Sequence, residues 1–272
     1  MTPPQDQLTG TNCQAKRERG APRCFDSSVW LSPPAHPRVS NDEVHVWRVS
    51  LDQSEAPKFV VLLDDDERKR ADRFRFQEHR NRFMVARGAL RTVLGRYLEV
   101  EPAALQFSYG RYGKPALAEG FTTNTINFNL SHSGEFMLLA VTADRQVGID
   151  IELINQEFAT TEVSERFFSR REIMSLRSHA GHLQTEAFFN CWTRKEAYIK
   201  ARGEGLTLPL DQFDVSLEPS SAALLDNRIS PGDVSRWSLQ ELHPSHAYCA
   251  AVAVEGFSWK LRLMDFNSRT LV

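Results

Sequence analysis

The sequence predicts two α+β lobes of similar size. Two observations lead there. With 272 residues, 41% of them hydrophobic and 25% charged, the chain can fill one large core or two small ones. The first half combines strand-like runs with a long helical segment, and the second half repeats that plan with no residue-level repeat between them. The expected organisation is a flexible tail over residues 1–40, an N-terminal lobe over 41–147 and a C-terminal lobe over 148–272.

The tail carries six of the thirteen prolines and no periodicity, so it reads as a mobile or loosely docked arm. A short strand follows at Val44, Val46, Val49 and Leu51, around Trp47. From Asp64 to Arg96 the chain becomes helical and basic, with ten cations against six acids. Phe83, Ala86, Leu90, Val93, Leu94 and Tyr97 recur there at helical spacing and form the apolar face. Most of the arginines are expected on the solvated face. After the turn-rich YGRYGKPAL come strands at Ile126–Leu130, Phe136–Val141 and Val147–Glu152. The second half offers helices near Arg170–Arg177 and from about Glu186 to Ala201. Its strands are expected at 213–217, 235–242, 247–254 and 259–265.

Composition narrows the class. The net charge of −2 gives no footprint for nucleic acid, and no apolar run reaches the roughly 18 residues of a membrane helix. The N-terminus lacks the charged-then-apolar order of a secretory signal. Cys13, Cys24, Cys191 and Cys249 are scattered without CxxC or Cys/His spacing, so neither zinc nor a disulfide framework is expected. The expectation is a soluble, cytoplasmic protein.

Four clusters carry chemistry. In Gly148-Ile149-Asp150-Ile151-Glu152, the period of a strand puts Asp150 and Glu152 on one face and both isoleucines in the core. Paired carboxylates repel unless a cation lies between them, and an all-oxygen set suits magnesium or manganese. In Trp192-Thr193-Arg194-Lys195-Glu196-Ala197-Tyr198-Ile199-Lys200, Trp192, Glu196 and Lys200 stack at i,i+4 on one helical face, with Lys195 beside them. An ordinary helical ion pair is the alternative. Asn129-Leu130-Ser131-His132-Ser133-Gly134 ends a strand, where Ser131, His132 and nearby backbone N–H groups could hold phosphate oxygens in a turn. Adjacent serine and histidine rarely face each other and no GxSxG is present, which argues against a hydrolase. Gly113-Lys114-Pro115 is a common turn and does not have P-loop spacing. Three carboxylates, a lysine, a phosphate-holding turn and a basic helix suit magnesium-assisted transfer of a phosphate group. A magnesium-dependent phosphodiesterase or nuclease would favour an ExK spacing, which these residues lack. An inactive binding module is the non-enzyme alternative.

With Asn129-x-Ser-His-Ser, then Gly148-Ile-Asp-x-Glu, then Trp192-x-x-Lys-Glu-Ala-x-x-Lys in that order, residues 44–265 resemble the 4′-phosphopantetheinyl transferase superfamily, in its two-lobed surfactin-synthetase type. The resemblance implies pseudo-twofold lobes with the active site in the cleft between them. It also implies magnesium as cofactor, coenzyme A as substrate and an apo acyl or peptidyl carrier protein as partner. Asp150, Glu152 and Glu196 would ligate magnesium. Glu196 would also act as base, with Lys200 as the other catalytic residue. Asp150, Lys195, Lys200, Ser131 and His132 would meet the pyrophosphate side of coenzyme A. Lys114 and Pro115 would wall the adenine side, and Arg70 and Arg82 would hold the 3′-phosphate. A further basic position of the family falls on Glu67, so Arg68 or Lys69 would have to substitute. Phe167 and Phe168 resemble the aromatic pair that begins the carrier-facing region, with simple core packing as the alternative. A monomer is implied.

Overall fold

A computed structural model describes residues 29–110, 113–121 and 126–266. Each lobe opens with a strand, runs through helices and a small hairpin, and closes with two strands. In the first lobe these are β1 (Glu43–Ser50), α1 (Ala56–Phe59), α2 (Asp65–Asp72), α3 (Gln77–Leu98), the hairpin β2 (Phe107–Tyr109) and β3 (Pro115–Leu117), then β4 (Ile126–Ser133) and β5 (Phe136–Ala143). In the second they are β6 (Val147–Leu153), α4 (Thr161–Phe167), α5 (Arg170–Ser178), α6 (Gly181–Arg202), the hairpin β7 (Phe213–Val215) and β8 (Leu224–Asn227), then β9 (Trp237–Leu242) and β10 (Tyr248–Glu255). The strand orders β1-β5-β4 and β6-β10-β9 are the same solution used twice, and α3 and α6 are each 22 residues long.

The last strand, β11 (Lys260–Phe266), leaves the half of the chain to which the sequence assigned it. It pairs in parallel with β1, from Glu43 opposite Lys260 to Val49 opposite Phe266. Without it β1 would expose a row of unpaired backbone groups, the usual hazard of an edge strand. The described end of the proline-rich segment then docks on β11. The Leu31 N–H donates to the Leu263 carbonyl, the Asp265 N–H donates to the Leu31 carbonyl, and the Arg48 guanidinium lies 4.7 Å over the Trp30 ring. Residues 1–28, with Cys13 and Cys24, lie outside the described residues; Cys191 and Cys249 are free and buried.

Strand alternation builds four layers: helix, sheet, sheet, helix. Val44 and Val46 of β1 meet Ile149 and Ile151 of β6 and Val252 and Val254 of β10 in a core between the sheets. The opposite face of the first sheet packs Trp47, Leu139 and Val141 under Leu90, Val93 and Leu94 of α3. The opposite face of the second packs Cys249, Ala251 and Ala253 under α6.

The basic segment divides into α2 and α3, and its charges are mostly answered. Glu67 and Asp64 form a capping box at the start of α2. Glu67 is buried, accepting from Arg87 and, at 2.7 Å, from Arg91, which also donates to Asp64 at 2.6 Å. That triad explains why Glu67 interrupts the basic pattern: it serves the core and not the cleft. Arg68 and Lys69 pair with Asp65 and Asp66 at the surface, and neither replaces it in the cleft.

Candidate active site

Helix α6 lies directly on β6 because Gly148 has no side chain to hold it off. A Cβ there would stand 2.8 Å from Ala201 Cα and closer still to Ala197 O and Ala201 N. Ala251 and Ala253, opposite Asp150 and Gly148 on β10, are small for the same reason. This close approach brings the two acids of β6 to Glu196 and Lys200 of α6. Lys200 Nζ donates to Asp150 Oδ1 at 2.6 Å and to Ser131 Oγ at 2.9 Å. Ser131 Oγ in turn donates to Asp150 Oδ1 at 2.8 Å, and Ser133 Oγ donates to Glu152 Oε2 at 3.0 Å. Asp150 Oδ2 is buried with no hydrogen-bond partner.

The electrostatics follow from crowding acids where water is scarce. Burial and the Asp150 charge push both Glu152 and Glu196 up to about 7, against the opposing pull of Lys200. Burial works against the charge on Lys200, but Asp150, with Glu196 and Glu152 behind it, holds its pKa above the usual lysine range. Loss of water around His132, with Lys200 and Arg70 nearby, lowers its pKa, so the ring is neutral at pH 7. Burial lowers Lys114 to about 8.

A cavity of about 590 Å³, within the range of ligand sites, borders this cluster at Lys200 and Ser133, while the three acids do not line it. Arg70, Arg82, Lys114, Pro115, His132 and Lys200 all line it. Arg70 lies 5.3 Å from the Phe83 ring centroid, and Arg82 Nε is buried without a hydrogen-bond partner. Lys114 also reaches across the lobes, donating to the carbonyls of Lys200 at 2.9 Å and Val147 at 3.2 Å.

Three expectations are corrected. Lys195 is not brought into the cleft: it sits on the far face of α6, wholly buried, donating to Glu172 at 2.8 Å and to the carbonyls of Leu210 and Phe213 at 2.6 Å each. All three ammonium donors are thereby used. The expected phosphate-holding turn is instead the end of β4, and the turn proper begins at Gly134, whose φ of 55° suits glycine. Ser131 spends its single hydroxyl proton on Asp150 and therefore has none for a phosphate oxygen. Phe168 is core, while Phe167 is half-buried with its ring 5.5 Å from Trp192.

His79, Tyr109 and Phe74 also line the cavity and were not singled out from the sequence. A signal existed for His79, which stands three residues before Arg82 on one helix. None existed for Tyr109, whose hydroxyl accepts from Arg87 at 3.0 Å across the lobe.

Among the described residues, no three His, Cys, Asp or Glu side chains cage an ion by themselves. The donor set nevertheless fits magnesium. It is all oxygen, it contains an orphaned buried carboxylate oxygen, and magnesium ordinarily takes one or two carboxylates and completes its shell with substrate phosphates and water. A pH effect follows. Glu152 and Glu196 keep their protons in the folded state up to about 7, whereas the unfolded chain releases them near its ordinary 4.5. Their contribution to stability is therefore full below about 4.5 and is lost as pH rises towards about 7. The melting temperature of EDTA-treated protein is expected to fall over that window. Glu196→Gln should flatten the slope, and magnesium should restore stability at its upper end.

Acids beside one end of the cavity and cations along it suit the handling of a phosphate ester. Comparison with known proteins makes the class specific. Residues 146–253 match the family model of the 4′-phosphopantetheinyl transferase superfamily, and residues 46–144 match that of the 4′-phosphopantetheinyl transferase N-terminal region. The chain is 42% identical over 240 residues to 4′-phosphopantetheinyl transferase HetI of a Nostoc species, covering 88% of this chain and 98% of that protein. It is 33% identical over 167 residues to 4′-phosphopantetheinyl transferase Sfp of Bacillus subtilis, covering 61% and 72% respectively. The chain belongs to the 4′-phosphopantetheinyl transferase superfamily and is an enzyme of the Sfp type.

Proposed function

We propose that this enzyme transfers the 4′-phosphopantetheine moiety of coenzyme A to a serine of an apo acyl or peptidyl carrier protein, with magnesium, releasing adenosine 3′,5′-bisphosphate. The observation that supports this most is the double position of Lys200, which lines the cationic cavity and bonds the Asp150 carboxylate. It joins the place where a pyrophosphate would lie to the place where oxygen ligands gather.

The residues then take distinct roles. Arg70 and Arg82 hold the 3′-phosphate, the unpartnered Arg82 Nε being an available donor. Lys114 and Pro115 wall the adenine side, and Lys114 holds the last turn of α6 by the Lys200 carbonyl. Neutral His132 offers an N–H to a pyrophosphate oxygen, and Lys200 offsets the charge that grows on the leaving group. Glu196 removes the proton from the carrier serine, directly or through a water. The serine oxygen bonds to the β-phosphorus as the bond to the bridging oxygen breaks, and the bisphosphate departs with that electron pair. Magnesium, held by Asp150, Glu152 and Glu196, would neutralise the pyrophosphate.

No helix among the described residues is long and apolar enough to cross a membrane. Action as a cytoplasmic monomer, without nucleic acid, completes the proposal.

Intact-mass measurement of an apo acyl carrier protein and an apo peptidyl carrier protein, each with enzyme, coenzyme A and magnesium, tests the reading. The expected result is a gain of one phosphopantetheine on at least one carrier, abolished by EDTA. Coenzyme A binding without transfer to either carrier would point to the inactive binding module. Transfer that persists in EDTA would remove the metal from the proposal.

A further inference from the structure

Strands β4 and β6 run side by side in the same direction, yet they belong to different sheets and no backbone hydrogen bond joins them among the described residues. Side chains of β4 do the joining. Asn129 Oδ1 accepts the Ile149 N–H at 2.9 Å, Ser131 Oγ donates to Asp150 at 2.8 Å, and Ser133 Oγ donates to Glu152 at 3.0 Å while accepting the Leu153 N–H at 3.0 Å. Residues two apart on β4 face the same way, so this seam requires a polar side chain at every second position.

The seam does more than fasten the lobes. Each serine engages one oxygen of one carboxylate. Ser131, with Lys200, pins Asp150 Oδ1 and leaves Oδ2 buried and unpartnered. Ser133 pins Glu152 at Oε2. Both hydroxyl protons go to the acids, and of the two serines only Ser133 also lines the cavity. We infer that Ser131 and Ser133 are positioning residues, which hold Asp150 and Glu152 in the orientation that receives the divalent cation, and that they act on metal affinity and not on coenzyme A affinity. The inference rests on the metal-dependent reading above. Groups that orient metal ligands without touching the metal typically govern affinity by about 10–100-fold.

The test uses the full chain without carrier. Mn2+ binding is followed by electron paramagnetic resonance at saturating coenzyme A, and coenzyme A affinity is measured separately in EDTA. Ser133→Ala is expected to weaken Mn2+ binding about 10–100-fold and to leave coenzyme A affinity in EDTA within about twofold of wild type. Ser133→Thr, which keeps the hydroxyl, should restore Mn2+ binding. Asn129→Ala, which touches backbone and no carboxylate, should lower the melting temperature and leave Mn2+ affinity at the wild-type value. Should Ser131→Ala fail to fold, the Ser133 pair still decides. Wild-type Mn2+ affinity in Ser133→Ala would overturn the inference alone, and so would a loss confined to coenzyme A binding. A wild-type protein that binds coenzyme A but no Mn2+ would overturn the metal reading and this inference with it.

Discussion

Gly148→Ala is expected to cost about 3 kcal/mol of stability and at least about 100-fold in transfer rate. The added methyl would enter the space of Ala197 O and Ala201 N, which are backbone atoms of α6 and cannot turn aside as a side chain would. The helix must lift from β6, and it carries Glu196 and Lys200 while β6 carries Asp150 and Glu152. Overpacking a close-packed contact accounts for the stability term. A displacement of about 1 Å between groups that must act together accounts for the rate. Urea denaturation and the carrier mass assay check the two parts separately. A variant with wild-type stability and rate would show that α6 does not need this contact.

Glu196→Gln is expected to lower kcat by about 1,000-fold, in the range for loss of a general base, and to change the KM for coenzyme A little. Glutamine keeps the shape of the side chain and removes both its charge and its capacity to take the serine proton. Glu196 lies among acids in a dehydrated corner, which pushes its pKa up to about 7 when no metal is bound. Glu152 has a similar pKa but a different expected role, because Ser133 ties it into the seam between lobes. Glu152→Gln should therefore recover much of its activity at high magnesium concentration, and Glu196→Gln should not. Equal recovery of both would assign Glu196 to metal binding alone.

Most of the charges on α2 and α3 are paired within the fold. Arg80 is answered by Asp72 at 2.7 Å and Arg82 by Glu78 at 2.8 Å, while Arg87 and Arg91 turn inward to Glu67. Counting arginines along a helix measures local charge but says nothing of whether an acid three or four residues away, or twenty, neutralises it.

Much of the site was legible in the chain because it is local. The period of two in Gly148–Glu152 by itself puts both acids on one face and both isoleucines in the core, and the i,i+4 step from Glu196 to Lys200 puts both on one face of α6. The repeated order of helices and strands announces two lobes. Other features were decided only by packing at long range. Lys195 precedes Glu196 in the chain, but the 100° turn between neighbours on a helix sends it to Glu172, on a helix the chain had already left. The last strand could join either sheet by its own composition, and it pairs with β1 of the first. Ser131 reads in the sequence as a phosphate donor because its hydroxyl is unassigned there. Only the approach of β6, fixed by two hydrophobic faces closing on each other, gives that proton to Asp150.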